Sequence, residues 1–403
     1  MNAAQQQDAH LWFEQLPPEW QQWLSDNIER GCSVDDLVQT LKQYGFSAQQ
    51  QDLVPDEALS SEEIWHHDIK QKVIEFKLQG LSFADCYQQL KQTFSRLPRV
   101  CEIQRYFVTL EQDAVYQLLK NSQHQLKKRE WLLATLDDLA RLDSDYSTHI
   151  PRLPAPDFQT FVTQFYSQNR PAILTDGINH WQAFKKWSPE YFAQHYGDAD
   201  IEVQMHREQD QQFERHSPRL KTKMLMRDFV DKIHAVDSSN DFYMTANNSA
   251  QHDQTLMSDI FQDVGDFATG YCDVTQQNQL SFLWMGPKGT FTPLHHDLTN
   301  NMLVQIYGRK KVTLIPALQV SSMYNDHWVF SELSSVDTVD VQRYPLAKKL
   351  TPITCILEAG EALFIPIGWW HSVESLEASI SLSFTHFQTK NDFFQNFPNE
   401  TAT

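Results

Sequence analysis

Along the first third of the chain the apolar residues recur at helical spacing. Between about residues 10 and 145 glycine is sparse and alternation of apolar and polar positions is missing, so the segment predicts helices rather than strands. Trp20 to Arg30 reads as one helix, ended by Gly31. The next begins at Ser33 with Asp36 three positions on, an N-capping pair with Asp in place of the usual Glu, and runs to Leu41. Gly80, Ser82, Asp85 and Leu90 repeat Gly31, Ser33, Asp36 and Leu41 at one constant offset, which predicts a duplicated helical hairpin.

The pattern then changes. Ile150-Pro-Arg-Leu-Pro-Ala-Pro156 is a linker or an extended entry strand and marks a domain boundary. Beyond it, Phe158–Tyr166 predicts a short amphipathic helix. Asn169-Arg-Pro171-Ala-Ile-Leu174 ends in an apolar strand, and Ser188 with Pro189 starts a helix reaching Tyr196. Short apolar or alternating runs at 201–205, 242–246, 280–285, 301–307, 311–315, 353–357, 362–365 and 379–384 predict strands. The chain is therefore expected to be α+β, with an all-helical N-terminal domain over 1–148, a barrel of short strands over 149–390 and a tail over 391–403.

Composition narrows the function classes. Eleven Trp and 25 Phe suit a large β core with aromatic-lined pockets. A formal net charge of −19 disfavours nucleic acid and anionic membranes and favours a basic partner. Residues 1–61 hold only Arg30 and Lys42 as bases, the wrong sign for a DNA-binding hairpin, and Lys127-Lys-Arg129 is a short run of the kind found on solvated helix faces. The helical region is expected to dimerise, present substrate or cover the barrel. The five cysteines are scattered without a CxxC pair, and neither a signal peptide nor an apolar run of transmembrane length is present. A reducing, cytoplasmic location is the expectation.

The candidate chemistry lies in Thr292-Pro-Leu-His-His-Asp297 and in Gly368-Trp-Trp-His371. On a strand His295 and Asp297, two apart, share a face about 6.5 Å apart along the chain and can converge on one ion, while His296 points away. His371 must be delivered by the fold, and the Gly360–Pro366 run before it reads as a turn and buried strand suited to fixing a ligand. Two imidazoles and one carboxylate leaving an open face favour Fe(II) over zinc. Short strands closing with these ligands point to a jelly-roll barrel of the cupin kind. His66 and Asp68 repeat the letters, but two positions apart on a helix they point about 200° apart and cannot share a metal. Lys310 has the parity of Val312 and Leu314 on a β run. It is either an inward cation awaiting an anion, such as the distal carboxylate of 2-oxoglutarate, or a barrel-rim charge. Lys311 has the opposite parity and is expected to meet solvent.

Residues from roughly 150 to 388 resemble the JmjC hydroxylases of the cupin-like 2-oxoglutarate oxygenases. The resemblance rests on Asn169-Arg-Pro171, Trp284-Met-Gly-Pro-Lys-Gly289, Thr292–Asp297, Asn301, Gln305, Gly308-Arg-Lys310, and Gly360–Pro366 through Trp370-His371. It implies a double-stranded β-helix with Fe(II) at His295, Asp297 and His371, and 2-oxoglutarate at Lys310 with Thr292, Asn301 and Tyr243. Trp284 and Thr385 are implied to line the substrate pocket. Relatives often carry an aromatic residue near the Thr385-His386 position. The segment from Met323 to Val339 is similar in layout to that of the JmjC protein arginyl hydroxylases, and the asparaginyl hydroxylases share the ligand motifs.

The implied activity is hydroxylation of a protein or peptide side chain, arginyl-type favoured, with O2 consumed and 2-oxoglutarate converted to succinate and CO2. N-methyl-lysine demethylation, small-molecule hydroxylation and a non-catalytic metal-binding cupin module are the alternatives.

Overall fold

The computed structural model describes residues 16, 17, 19, 20, 23, 27, 34–46, 61–95, 97, 98, 100–143, 148–245, 254–265, 270–273 and 281–398. The described residues form two compact units that divide between Arg129 and Glu130. Among them, no helix is long and apolar enough to cross a membrane. Cys86, Cys272 and Cys355 are free thiols.

The first unit is helical. Helices α1 (Val34–Gln43), α2 (Ser61–Leu78), α3 (Phe83–Thr93), α4 (Val100–Thr109) and α5 (Ala114–Ala140) follow one another. Ile69, Val73 and Phe76 recur on α2 at the spacing of one helix face and bury against Cys86, Leu90 and Ile103. Gly80 adopts φ +85 and ends α2, with Leu81 N–H donating to Phe76 O at 3.1 Å. Ser82 then caps α3: Asp85 N–H donates to its hydroxyl oxygen, and that hydroxyl donates to the Asp85 carboxylate at 2.6 Å. The first copy of this pattern begins at Gly31 and Ser33, which lie outside the described residues. The helix α2 carries the His66–Asp68 backbone, and His67 and Asp68 are exposed.

The division falls inside α5, upstream of the Pro-rich stretch expected to be the boundary. The Pro-rich stretch is an entry strand of the second unit. There β1 (Arg152–Leu153) pairs in parallel with β2 (Ala172–Leu174). The predicted amphipathic helix forms as an α turn over Phe158–Phe161 followed by a π turn over Val162–Tyr166. The helix α6 (Pro189–Tyr196) starts as expected, with Tyr191 N–H donating to Ser188 Oγ at 3.1 Å.

A three-stranded sheet comes next: β3 (Asp200–Met205) lies between β4 (Lys221–Leu225) and β5 (Phe242–Tyr243). The barrel follows, with β6 (Ser281–Gly286), β7 (Phe291–His296), β8 (Asn301–Tyr307) and β9 (Lys310–Ile315). After the hairpin of β10 (Asn325–His327) and β11 (Phe330–Ser331) come β12 (Ile353–Leu357), β13 (Ala362–Ile365), β14 (Trp370–Ser375) and β15 (Ser379–Phe384). The two main sheets have orders β1-β2-β13-β8-β15-β6 and β10-β11-β7-β14-β9-β12. Strands β6 to β9 alternate between the sheets, and so do β12 to β15, which is the jelly-roll winding.

Period-two patterning decides what each face meets. Met302, Val304 and Ile306 of β8 join Phe161, Phe192 and Phe229 in one core, outside the first sheet. Leu303, Leu363 and Ile365 of the first sheet meet Val312 and Leu314 of the second between the sheets. The turn from β8 to β9 depends on Gly308, at φ +72, where an added Cβ would lie 2.1 Å from Ala378 O. Gly308→Ala is expected to destabilise the protein by about 3 kcal/mol or more, from strain plus a backbone clash, read by denaturant unfolding.

Candidate active site

His295 and His371 sit directly opposite each other on β7 and β14. Between His371 and Val373 the register shifts by one, because β7 places Pro293 and Leu294 opposite the single Ser372. A proline inside a strand is at home at such a bulge, where no ladder N–H is needed. The bulge turns Thr292 onto the same face as His295, although the two are an odd number of residues apart. Leu294 and Trp370 bury on the outer side with Ile315, and the His296 ring packs edge-on to Trp370 at 4.7 Å. His371 lies within a strand of its own, β14, rather than at the end of β13.

Asp297 follows the last residue of β7. Its carboxylate oxygens lie 3.8 Å from His295 Nε2 and 3.9 Å from His371 Nε2. The donor atoms of His295, Asp297 and His371 all lie within 4.8 Å of one another. Each imidazole is oriented by the carbonyl two residues back, with Nδ1 2.8 Å from Pro293 O for His295 and 3.0 Å from Trp369 O for His371. Donation from Nδ1–H to a carbonyl leaves the Nε2 lone pair directed at the shared space. Burial and the neighbouring His371 push the His295 imidazole down from its ordinary pKa, which keeps it neutral. Burial alone would raise the Asp297 carboxyl. The imidazoles of His371 and His295 and the Asn301 amide outweigh it and hold the group below the usual carboxylate range. This set of two imidazole nitrogens and one carboxylate suits a divalent transition metal.

The three residues line a cavity of about 290 Å³ that also includes Tyr243, Trp284, Thr292, Asn301, Lys310 and Thr385. All nine residues singled out in the sequence therefore meet in one place. Lys310 is fully buried, and its ammonium donates to Tyr243 Oη at 3.1 Å. Burial pushes it down to about 7. Lys311, of opposite parity, pairs with Asp337 at 2.7 Å. Asn301 Nδ2 donates to Asp297 Oδ2 at 3.0 Å, while its buried Oδ1 has no partner among the described residues. Trp284 Nε1 donates to Ser383 Oγ at 3.0 Å.

Sequence reasoning missed Glu214, Trp328 and Phe330, which also line the cavity. Phe330 is paired in register with His295 through the β10–β11 hairpin. Glu214 lies on an irregular loop after β3. It is tied to the fully buried Arg207, whose Nη2 donates to Glu214 Oε1 at 3.2 Å and to Phe291 O at 2.7 Å. No local periodicity marks this loop, so only the fold brings Glu214 to the cavity.

A family model described as a cupin-like domain matches residues 158–393. Lysine-specific demethylase 8 of Xenopus tropicalis is 30% identical over 248 residues, covering 60% of this chain and 53% of that protein. Jumonji C domain-containing protein 5 of Drosophila melanogaster is 28% identical over 264 residues, 62% of this chain and 63% of that protein. The tRNA wybutosine-synthesizing protein 5 of Mus musculus is 26% identical over 262 residues, 62% of this chain and 79% of that protein. The matches thus span a little over half of the first two relatives.

Proposed function

The chain belongs to the cupin-like domain family, and from that premise we propose that it is an Fe(II)- and 2-oxoglutarate-dependent oxygenase acting on a side chain of a protein or peptide. The observation that carries this reading is one cavity containing both the His295–Asp297–His371 cluster and the buried cation of Lys310. A buried ammonium that donates to a neutral hydroxyl is costly, and an anionic ligand removes that cost. A dicarboxylate that chelates a metal at one end and pairs with Lys310 at the other satisfies both features.

With Fe(II) bound, the group supplies the oxidising chemistry that converts 2-oxoglutarate to succinate and CO2 while a substrate C–H bond is oxidised. The chain's residues do the rest. His295, Asp297 and His371 would hold the metal through their three converging donor atoms. Lys310, with Tyr243 as its hydrogen-bond partner, takes the distal carboxylate, and Thr292 sits beside them on the bulged face. Asn301 steadies Asp297 through its amide and offers its unpartnered Oδ1 to a donor on a ligand. Trp284, Phe330 and Val373 wall the cavity and exclude water from the reacting C–H.

Glu214 is the support for a basic substrate. One of its oxygens is engaged by Arg207, and the carboxylate stands in the cavity wall where a guanidinium or ammonium would meet it. The net charge of −19 acts in the same direction and against an RNA substrate. Hydroxylation of an arginyl side chain is the favoured form of the reaction, and N-methyl-lysine demethylation is its rival, since two relatives carry demethylase or Jumonji names. Incubation with Fe(II), 2-oxoglutarate, O2 and a panel of basic and acidic peptides separates them. The expected product is a basic peptide heavier by one oxygen atom, with turnover at least about tenfold lower in Glu214→Gln, the loss of one charge-assisted contact. Loss of a methyl group with formaldehyde release selects demethylation, and indifference to peptide charge removes the basic-substrate reading.

A further inference from the structure

The helical unit holds a cavity of its own, far in sequence from the metal ligands. It encloses about 500 Å³, within the usual range for ligand pockets, and every residue lining it belongs to the first compact unit. Lysines set its character. Lys120 and Lys127, with His124 between them, recur at three- and four-residue spacing on α5 and so stand on one helix face. Lys77 joins them from the last turn of α2. Three cations therefore meet in one hollow of a chain whose net charge is −19.

The positive charge is not cancelled inside the hollow. Among the described residues that line it, Glu111 is the single acid. Its carboxylate is shared by two ammonium groups, Lys77 Nζ at 3.3 Å and Lys120 Nζ at 3.0 Å. Lys77 is the better buried of the two, its side chain 9% exposed, and it also donates to Phe107 O and lies 4.4 Å from the centre of the Phe107 ring. Leu78, Leu81 and Phe107 add apolar wall. A ligand that fits carries negative charge and apolar groups together.

The spacing of the cations selects among such ligands. Lys120 and Lys127 are seven residues apart on a helix, about 10 Å along its axis. That distance matches about three residues of extended peptide, so carboxylates spaced along a chain reach both, whereas a lone phosphate reaches one at a time. All three lining cations are lysines, point charges without the guanidinium fork that grips phosphate through two parallel bonds. The strongly acidic chain also repels a polyanionic nucleic acid.

We propose that this hollow, between the end of α2 and the first half of α5, is a docking site for an acidic peptide segment of a partner protein, its carboxylates on Lys120 and Lys127 and an apolar side chain against Leu81 and Phe107. The site is independent of the oxygenase reading, because it rests on the helical unit alone.

Fluorescence anisotropy of the full chain tests it, with a short labelled peptide of repeating aspartate, leucine and glutamate and its asparagine and glutamine counterpart. The acidic peptide is expected to bind at least about tenfold tighter than the amide peptide, less tightly as salt is raised, and equally well to His295→Ala. Lys120→Gln/Lys127→Gln is expected to weaken it by about tenfold, the loss of two exposed ion pairs. If that variant unfolds, Lys127→Glu, a change at an exposed position, decides by itself with a loss of at least about fivefold. Equal binding of the two peptides, or affinity unchanged by the lysine substitutions, overturns the proposal. So does complete displacement of the peptide by millimolar inorganic phosphate, which marks a single-anion site, or tighter binding of an RNA oligonucleotide through the same lysines.

Discussion

Asp297→Ala lowers succinate formation from 2-oxoglutarate by about 10²–10³-fold and weakens Fe(II) binding by a similar factor. The reason is charge. His295 and His371 offer imidazole nitrogens, so Asp297 is the single carboxylate of the three donors facing a dication. It is held ionised by both imidazoles and by the Asn301 amide. Removing one side of a buried charge pair costs about 3–5 kcal/mol, and each 1.4 kcal/mol is tenfold in an equilibrium constant. Iron binding by calorimetry and succinate release under saturating 2-oxoglutarate read the two effects separately. Asn301→Ala serves as the milder control. It removes the hydrogen bond to Asp297 and leaves the three donors in place, so its loss falls in the 10–100-fold range typical of groups that orient a metal ligand.

Lys310→Met acts in opposite directions on affinity and stability. In the wild type the buried ammonium donates to Tyr243 Oη, and burial pushes it from 10.5 down to about 7. Above pH 7 the unfolded chain binds a proton at this site that the unliganded folded protein does not. Stability of the unliganded protein therefore rises as pH climbs from about 7 toward 10.5 and levels off above that window. Methionine removes the buried cation at similar length, so the unliganded variant melts higher than wild type at neutral pH and loses that rise with pH. The same change deletes the partner for the distal carboxylate, and 2-oxoglutarate affinity falls by about 10²–10³-fold. Binding to the wild type near pH 8 is accompanied by proton uptake, seen as a dependence of calorimetric heat on the buffer's ionisation enthalpy. The variant shows no such uptake.

Much of this site was legible in residue order because strands repeat every two residues. Parity alone selected Lys310 over Lys311, and the fold buries the first and pairs the second with Asp337 at the surface. Parity also selected His295 and Asp297, although β7 stops at His296 and Asp297 reaches its place from the following turn. The same rule sets Thr292 on the wrong face, and Pro293 was the available warning that a bulge intervenes. His371, Tyr243 and Glu214 come from strands and loops far away in the chain, and their meeting depends on the pairing of β14 with β7 and β9 and on the loop after β3. The resemblance supplied the first two. Glu214 left no mark, since an irregular loop has no period to read.

The most direct test of the central account is succinate production by the wild-type chain. Purified protein is loaded with Fe(II) under anaerobic conditions, given 2-oxoglutarate, and exposed to O2 with no peptide present. The account predicts slow succinate release that requires both iron and O2 and disappears in His295→Ala. A folded protein that binds Fe(II) and still forms no succinate, or forms it equally in His295→Ala, contradicts the account.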